Sequence, residues 1–204
     1  MTDARPTLWL ASTSPRRREL LERTGFALQV AAPEVDESLR PDEAPAAYVE
    51  RLAEAKAAEV RARVEAAARG VVVAADTVVV HDGHILGKPR DRDDARETLR
   101  RLSGQWHRVL TGWCVAGDEP RVAVEETRVR FKAVRDPELT WYLDTQEWRD
   151  KAGGYGIQGR GAFLVATLEG SYANVVGLPL SAVVDALADC GLHPAPLSAR
   201  ERRT

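Results

Sequence analysis

The sequence predicts an α/β protein: a mixed, twisted sheet with flanking helices, in two lobes around a deep cleft. Three observations carry that expectation. Short apolar runs alternate along the chain with segments of helical period. The run VVVAADTVVV at 71–80 is apolar on both faces apart from its centre, as a buried central strand should be. Two long β-type segments, about 106–116 and 121–132, then follow each other like a hairpin, which puts antiparallel pairs into the sheet. A chain of 204 residues can bury a sizeable core, so residues 1–204 are read as one domain with 193–204 as a frayed tail.

In chain order, TLWLAS (7–12) is a short strand. Pro15 suits the first position of a helix, Ser14 its N-cap and Gly25 the stop after it, which gives a helix over about 15–24. FALQVAA (26–32) is a second strand, followed by the acidic loop PEVDES (33–38). A long Ala-rich helix covers roughly 44–68 and ends at Gly70, before the central strand. Asp82-Gly83 turns the chain within HDGHI, and residues 91–103 form a helix closed by Gly104. In the second hairpin strand Val122, Val124, Thr127, Val129 and Phe131 are read as alternating. A helix over 137–146, the glycine-rich KAGGYGIQGRGA (151–162), a strand over 163–170 and a helix over 178–191 complete the chain.

Hydrophobic residues at 44% and charged residues at 29% are ordinary for a globular protein. A formal net charge of −2 argues against a general grip on nucleic acid or anionic membrane, so any polyanion must be met by local clustering. Cys114 and Cys190 show no metal or redox spacing and read as small apolar residues. The start, MTDARPTLWLAS, lacks a long apolar stretch, so a cytoplasmic protein is expected.

Several residues invite chemistry. A helix start already carries partial positive charge, yet this one opens on Arg16, Arg17 and Arg18. At 100° per residue Arg16 and Arg17 lie over Leu20 and Leu21, while Arg18 points to solvent. With the Ser12, Thr13 and Ser14 hydroxyls and helix-start N–H groups they form a phosphate cradle; the alternative is a solvated basic turn. Lys56 falls in the apolar stripe of the long helix, among Val49, Leu52, Ala53, Val60, Val64 and Ala67. It must meet an anion or snorkel outward. Asp76 interrupts the buried strand, where a carboxylate is costly unless it is paired, binds a metal or opens on a cleft. Lys88, aimed by Pro89, and the loop acids Asp36 and Glu37 are weaker signals. Five glycines between 153 and 161 let the backbone approach a ligand, and Gln158 among them offers the donors and acceptor that read a base edge. No nucleophile elbow, P-loop or dinucleotide fingerprint is present. Carboxylates plus cations remain, the pattern for metal-assisted attack of water on a phosphate ester.

Together LASTSPRR, AADTVV, GKPRD, LSGQWHRVLTG, DKAGGYGIQGRGA and GSYANVVGLPL resemble the Maf family, the septum-formation-inhibitor-like nucleotide pyrophosphatases, over about residues 8–180. The resemblance implies a fold shared with inosine-triphosphate pyrophosphatases and hydrolysis of a nucleoside triphosphate to the monophosphate and pyrophosphate with a divalent cation. It implies Asp76 as proton acceptor, and Arg16, Thr77 and Gln158 as residues that bear on substrate choice. Thr77 and Gln158 match the branch acting on dTTP and UTP; the 7-methyl-GTP branch carries Gln and Glu there. Ser12, Ser14, Arg17, Lys56 and Lys88 are the expected phosphate ligands. Glu37, with Asp36 beside it, and Asp76 are expected to hold the ion, with Mg2+ favoured and Mn2+ or Co2+ as alternatives. A homodimer is expected by resemblance. The rival readings are a non-catalytic nucleotide-binding regulator of cell division and a phosphatase.

Overall fold

The computed structural model describes residues 6–64 and 70–195. It is a seven-stranded mixed sheet flanked by helices, the architecture that the alternating pattern predicts. The strands are β1 (Thr7–Ala11), β2 (Leu28–Ala31), β3 (Gly70–His81), β4 (His84–Leu86), β5 (Trp106–Ala116), β6 (Arg121–Phe131) and β7 (Val165–Glu169). The helices are α1 (Pro15–Arg23), α2 (Pro45–Val64), α3 (Arg92–Leu102), α4 (Asp136–Asp144), α5 (Tyr172–Val176) and α6 (Leu180–Asp189). No helix among the described residues is long and apolar enough to cross a membrane.

The strand order is β2-β1-β3-β5-β6-β7, with β4 added to β3. β1 runs parallel to β2 and β3, whereas β5, β6 and β7 run antiparallel to their neighbours. One edge of β3 pairs with β5 from Val72 to Val80. The other edge is shared: β1 pairs with Gly70–Ala74, and β4 with Val79–His81. Between them Ala75–Val78 carry no strand partner on that side among the described residues, and the sheet opens there.

The apolar core is interrupted at the same level. On one face of β3, Val71, Val73 and Ala75 join a cluster with Leu8, Leu10, Leu21 and Leu187. Beyond Thr77 on that face, Val79 joins a second cluster with Leu99, Phe131 and Tyr142. On the opposite face, Val72 and Ala74 pack under Ala53, Ala57 and Val60 of α2, and beyond Asp76, Val78 and Val80 pack with Val49 and Leu110. Strand alternation thus puts Asp76 and Thr77 on opposite faces, each at the seam between two apolar clusters.

Several expectations change. Gly70, read as the end of the long helix, is the first residue of β3, paired with Thr7. Residues 65–68 of the predicted helix, Ala67 among them, and most of the tail (196–204) lie outside the described residues. β4 and α5 have no counterpart among the predicted elements, because three and five residues are too few to show a period. The alternation read for β6 changes phase: Val122 and Val124 pack toward α2, while Val129 and Phe131 pack in the cluster on the other face.

Candidate active site

The gap beside Ala75–Val78 opens on a cavity of about 800 Å³. Arg16, Arg17, Lys56, Asp76, Thr77, Lys88 and Gln158 all line it, together with Ser12, Ser14 and Glu37. Residues far apart in the chain therefore share one cleft. Asp36 is not among the lining residues; its carboxylate caps the next turn, accepting from Ser38 N at 2.9 Å and Ser38 Oγ at 2.9 Å.

The helix-start cradle takes a definite form. Ser14 is the N-cap of α1 and its Oγ accepts from Arg17 N at 3.5 Å, while Ser12 Oγ accepts from Ser14 N at 3.1 Å. Two of the N–H groups expected to face an anion are thus already capped. Arg18 turns outward to Glu22, at 2.7 Å. Arg17 turns inward and donates from Nε to Gly177 O (2.7 Å), from Nη1 to Ser12 Oγ (3.2 Å) and from Nη2 to Thr77 Oγ1 (3.0 Å). Burial lowers the pKa of Arg17, and the nearby charge of Asp76 opposes that. Burial also lowers Arg16, against the charge of Asp150.

Asp76 lies in the middle of β3 rather than at its carboxyl end; what ends beside it is β1, whose Ala11 pairs with Ala74. It is also paired. Lys56 Nζ donates to Asp76 Oδ1 at 2.6 Å and stands 2.7 Å from Glu37 Oε1. Lys56 therefore meets anions and does not snorkel, and its charge is already balanced by two carboxylates. Burial acts to raise the Glu37 pKa, but the Lys56 hydrogen bond and the charges of Lys56, Lys88 and Arg17 outweigh it, so Glu37 sits below the ordinary glutamate value. Gly112 explains how α2 comes so close. It faces Asp76 across the β3–β5 pair, and a Cβ there would stand 2.2 Å from Val49 O of α2.

The glycine-rich loop bridges the cleft. Tyr155 is buried in one apolar cluster, its ring edge-on to Phe131 at 4.7 Å and its hydroxyl 2.8 Å from His107 Nε2. Two residues later Ile157 packs against the other cluster. Gln158 follows, exposed at the cavity wall. The GKP turn docks on the same loop, Gly87 O accepting from Gly153 N at 3.0 Å.

Sequence reasoning missed the turn before this loop. Glu147, Arg149, Asp150 and Lys151 also line the cavity. Glu147 Oε2 accepts from Arg160 N at 2.7 Å and pins the loop beyond Gln158. The charge run EWRDK was the available signal, together with the left-handed backbone of Gln146 and Asp150 (φ 59° and 58°), which only coordinates reveal. With these residues the cavity holds six cations and four carboxylates, a basic pocket on a slightly acidic chain.

Among the described residues no three His, Cys, Asp or Glu side chains gather to hold a metal ion. Two carboxylates, Glu37 and Asp76, converge on the Lys56 ammonium. That pair suits Mg2+, which is commonly held by one or two carboxylates with phosphate oxygens and water completing its shell. The donor set therefore fits a substrate-bound divalent cation and not a permanent protein cage.

Comparison with known proteins shows the family of the chain. A family model described as Maf-like protein matches residues 7–190. A protein of Symbiobacterium thermophilum named dTTP/UTP pyrophosphatase is 52% identical over 185 residues, which is 90% of this chain and 94% of that protein. Another of that name from Pyrococcus furiosus is 46% identical over 176 residues, 86% of this chain and 90% of that protein. A third, from Hahella chejuensis, is 48% identical over 194 residues, 92% and 94% of the two chains.

Proposed function

The chain belongs to the family of Maf-like proteins, and from that membership we propose that it hydrolyses dTTP and UTP to the monophosphate and pyrophosphate. The single observation that carries this reading is the shared cleft, in which Asp76 and Gln158 line the same basic cavity as Arg16 and Arg17.

In this reading the triphosphate lies along Arg16, Arg17 and Lys88, whose charges offset its own. Lys56 holds Asp76 by Oδ1, which leaves Oδ2 to accept a proton from the water that attacks the α-phosphorus. Oxygen adds to that phosphorus, its bond to the bridging oxygen breaks, and pyrophosphate leaves. Glu37 and Asp76 would hold a divalent cation, Mg2+ first, which supplies charge neutralisation at the phosphates. Gln158 reads the pyrimidine edge, and Arg16 with Thr77 bears on the choice of substrate. We place the enzyme in the cytoplasm, where such nucleotides are made. A regulator without turnover is not favoured, since the relatives at about half identity carry the pyrophosphatase name.

A panel of dTTP, UTP, CTP and 7-methyl-GTP, assayed for pyrophosphate and orthophosphate with and without EDTA, tests the proposal. Pyrophosphate from dTTP and UTP, abolished by EDTA, is expected; orthophosphate as the first product would overturn it. In Gln158→Glu the preference for dTTP and UTP should fall about tenfold, the scale of one buried hydrogen bond. Unchanged selectivity would reject base reading by the loop.

A further inference from the structure

Behind the cradle Thr77 meets a second hydroxyl, that of Thr111, which has no role assigned above. Thr111 is fully buried on β5, directly across from Thr77 on β3. Its Oγ1 lies 2.9 Å from Thr77 Oγ1 and 3.2 Å from Asn174 O, the backbone carbonyl in the first turn of α5. Asn174 is itself fixed, donating from Nδ2 to Val109 O at 3.1 Å and to Thr127 Oγ1 at 3.0 Å.

Proton counting and the distances together set the direction of every bond in this line. The threonine pair has two carbonyls to give a proton to, and Thr111 Oγ1 to Asn174 O at 3.2 Å is shorter than Thr77 Oγ1 to Gly177 O at 3.5 Å, so Thr111 donates to Asn174 O, and a hydroxyl has only one proton to give. The proton between the two threonines must then come from Thr77. The guanidinium can only donate, so Arg17 Nη2 donates to Thr77. The order is Arg17 to Thr77 to Thr111 to Asn174. With its proton committed inward, Thr77 does not compete for Gly177 O, 3.5 Å away, and that carbonyl is left to Arg17 Nε at 2.7 Å. Gly177 suits this place by its backbone: its φ is +126°, where any side chain would be strained, and a Cβ would reach ordinary contact, 3.6 Å, with both Arg17 Nε and Thr77 Oγ1. Three of the five guanidinium N–H groups are thereby engaged, which leaves one on each terminal nitrogen, a fork suited to two phosphate oxygens.

We propose that Thr111 is a positioning residue: by accepting the Thr77 proton and passing its own to Asn174 O, it fixes the Arg17 guanidinium as a two-pronged phosphate donor. The proposal rests on the reading of Arg17 as a phosphate ligand. It also gives Thr77 a physical task, to hold an arginine.

The probe is inorganic tripolyphosphate, its affinity measured by calorimetry in EDTA so that turnover plays no part. Thr111→Ser and Thr111→Ala both lose the γ-methyl, and only Ala loses the hydroxyl. Thr111→Ala should weaken binding about fivefold, and Thr111→Ser should stay within about twofold of the wild type. Thr77→Val with Thr111→Ala should bind no worse than Thr77→Val alone, since a broken relay cannot be broken twice. Equal losses in Ser and Ala would reduce Thr111 to packing, and losses that multiply in the double variant would separate the two hydroxyls; either overturns the proposal. If Thr111→Ala melts before it can be titrated, the cycle is run with Thr111→Val, which keeps the volume, against Thr111→Ser. A wild type that binds tripolyphosphate but releases no pyrophosphate from dTTP fails the function and leaves the relay standing. A wild type that turns over dTTP while Thr111→Ala matches its affinity fails the relay alone, and one that does not bind tripolyphosphate fails both.

Discussion

Lys56 joins two carboxylates that would otherwise repel, and only 7% of its side chain is exposed. Removing one partner of such a buried pair typically costs about 3–5 kcal/mol, so Lys56 supports the fold as well as the site. The sequence shows the lysine in an apolar stripe and the aspartate in an apolar strand, and those two anomalies solve each other. It does not show Glu147 or Asp150, because charged residues in a turn look the same whether they face water or a cavity. His107 lies deeper, against Tyr155 and Phe131 with His81 nearby. Burial, and then the charge of His81, lowers its pKa from 6.5 to about 4. The unfolded chain thus takes up a proton near pH 6.5 that the folded chain refuses until about 4. Stability is full above that window and falls as the pH is lowered through it, by roughly 3 kcal/mol at most. Urea titrations between pH 7.5 and 4 should show this loss, and His107→Gln should flatten it. An unchanged acid limb in His107→Gln would assign the loss to other groups.

Elements set the distances between these residues. α2 can bring Lys56 to Asp76 only because β5 offers no side chain at Gly112, where a Cβ would strike Val49 O of the helix backbone. Backbone cannot rotate away as a side chain can, so Gly112→Ala must lift the helix or distort the strand. It should cost about 3 kcal/mol or more and lower the melting temperature by about 6–12 °C. Gly87→Ala, with nothing within 4 Å of the added carbon, is the control and should stay within about 0.5 kcal/mol. Equal melting temperatures for the two variants would contradict the close packing of α2 on β5. Long elements were legible because their periods repeat: β3, β5, β6 and α2 all lie near the predicted spans. Gly112 was not, since a glycine inside a strand shows nothing of the helix that crosses it.

The whole molecule opens its sheet at one level. β1 stops at Ala11, opposite Ala74, β4 ends at Leu86, opposite Val79, and the stretch of β3 between them carries Asp76 and Thr77. Four apolar clusters meet there, and the glycine-rich loop ties two of them together through Tyr155 and Ile157. A mixed sheet with a cleft could be read from the chain. That the cleft lies at the middle of β3 could not, since it depends on where two neighbouring strands end. The central claim is that water held at Asp76 attacks the α-phosphorus in this cleft. Hydrolysis of dTTP in heavy-oxygen water tests it most directly, with the label followed by mass spectrometry in wild type and Asp76→Asn. The account predicts that the heavy oxygen enters the nucleoside monophosphate and not the pyrophosphate, and that the folded Asp76→Asn variant labels at least about a hundredfold more slowly. Heavy oxygen in the pyrophosphate, or near-normal labelling without the Asp76 carboxylate, would contradict it.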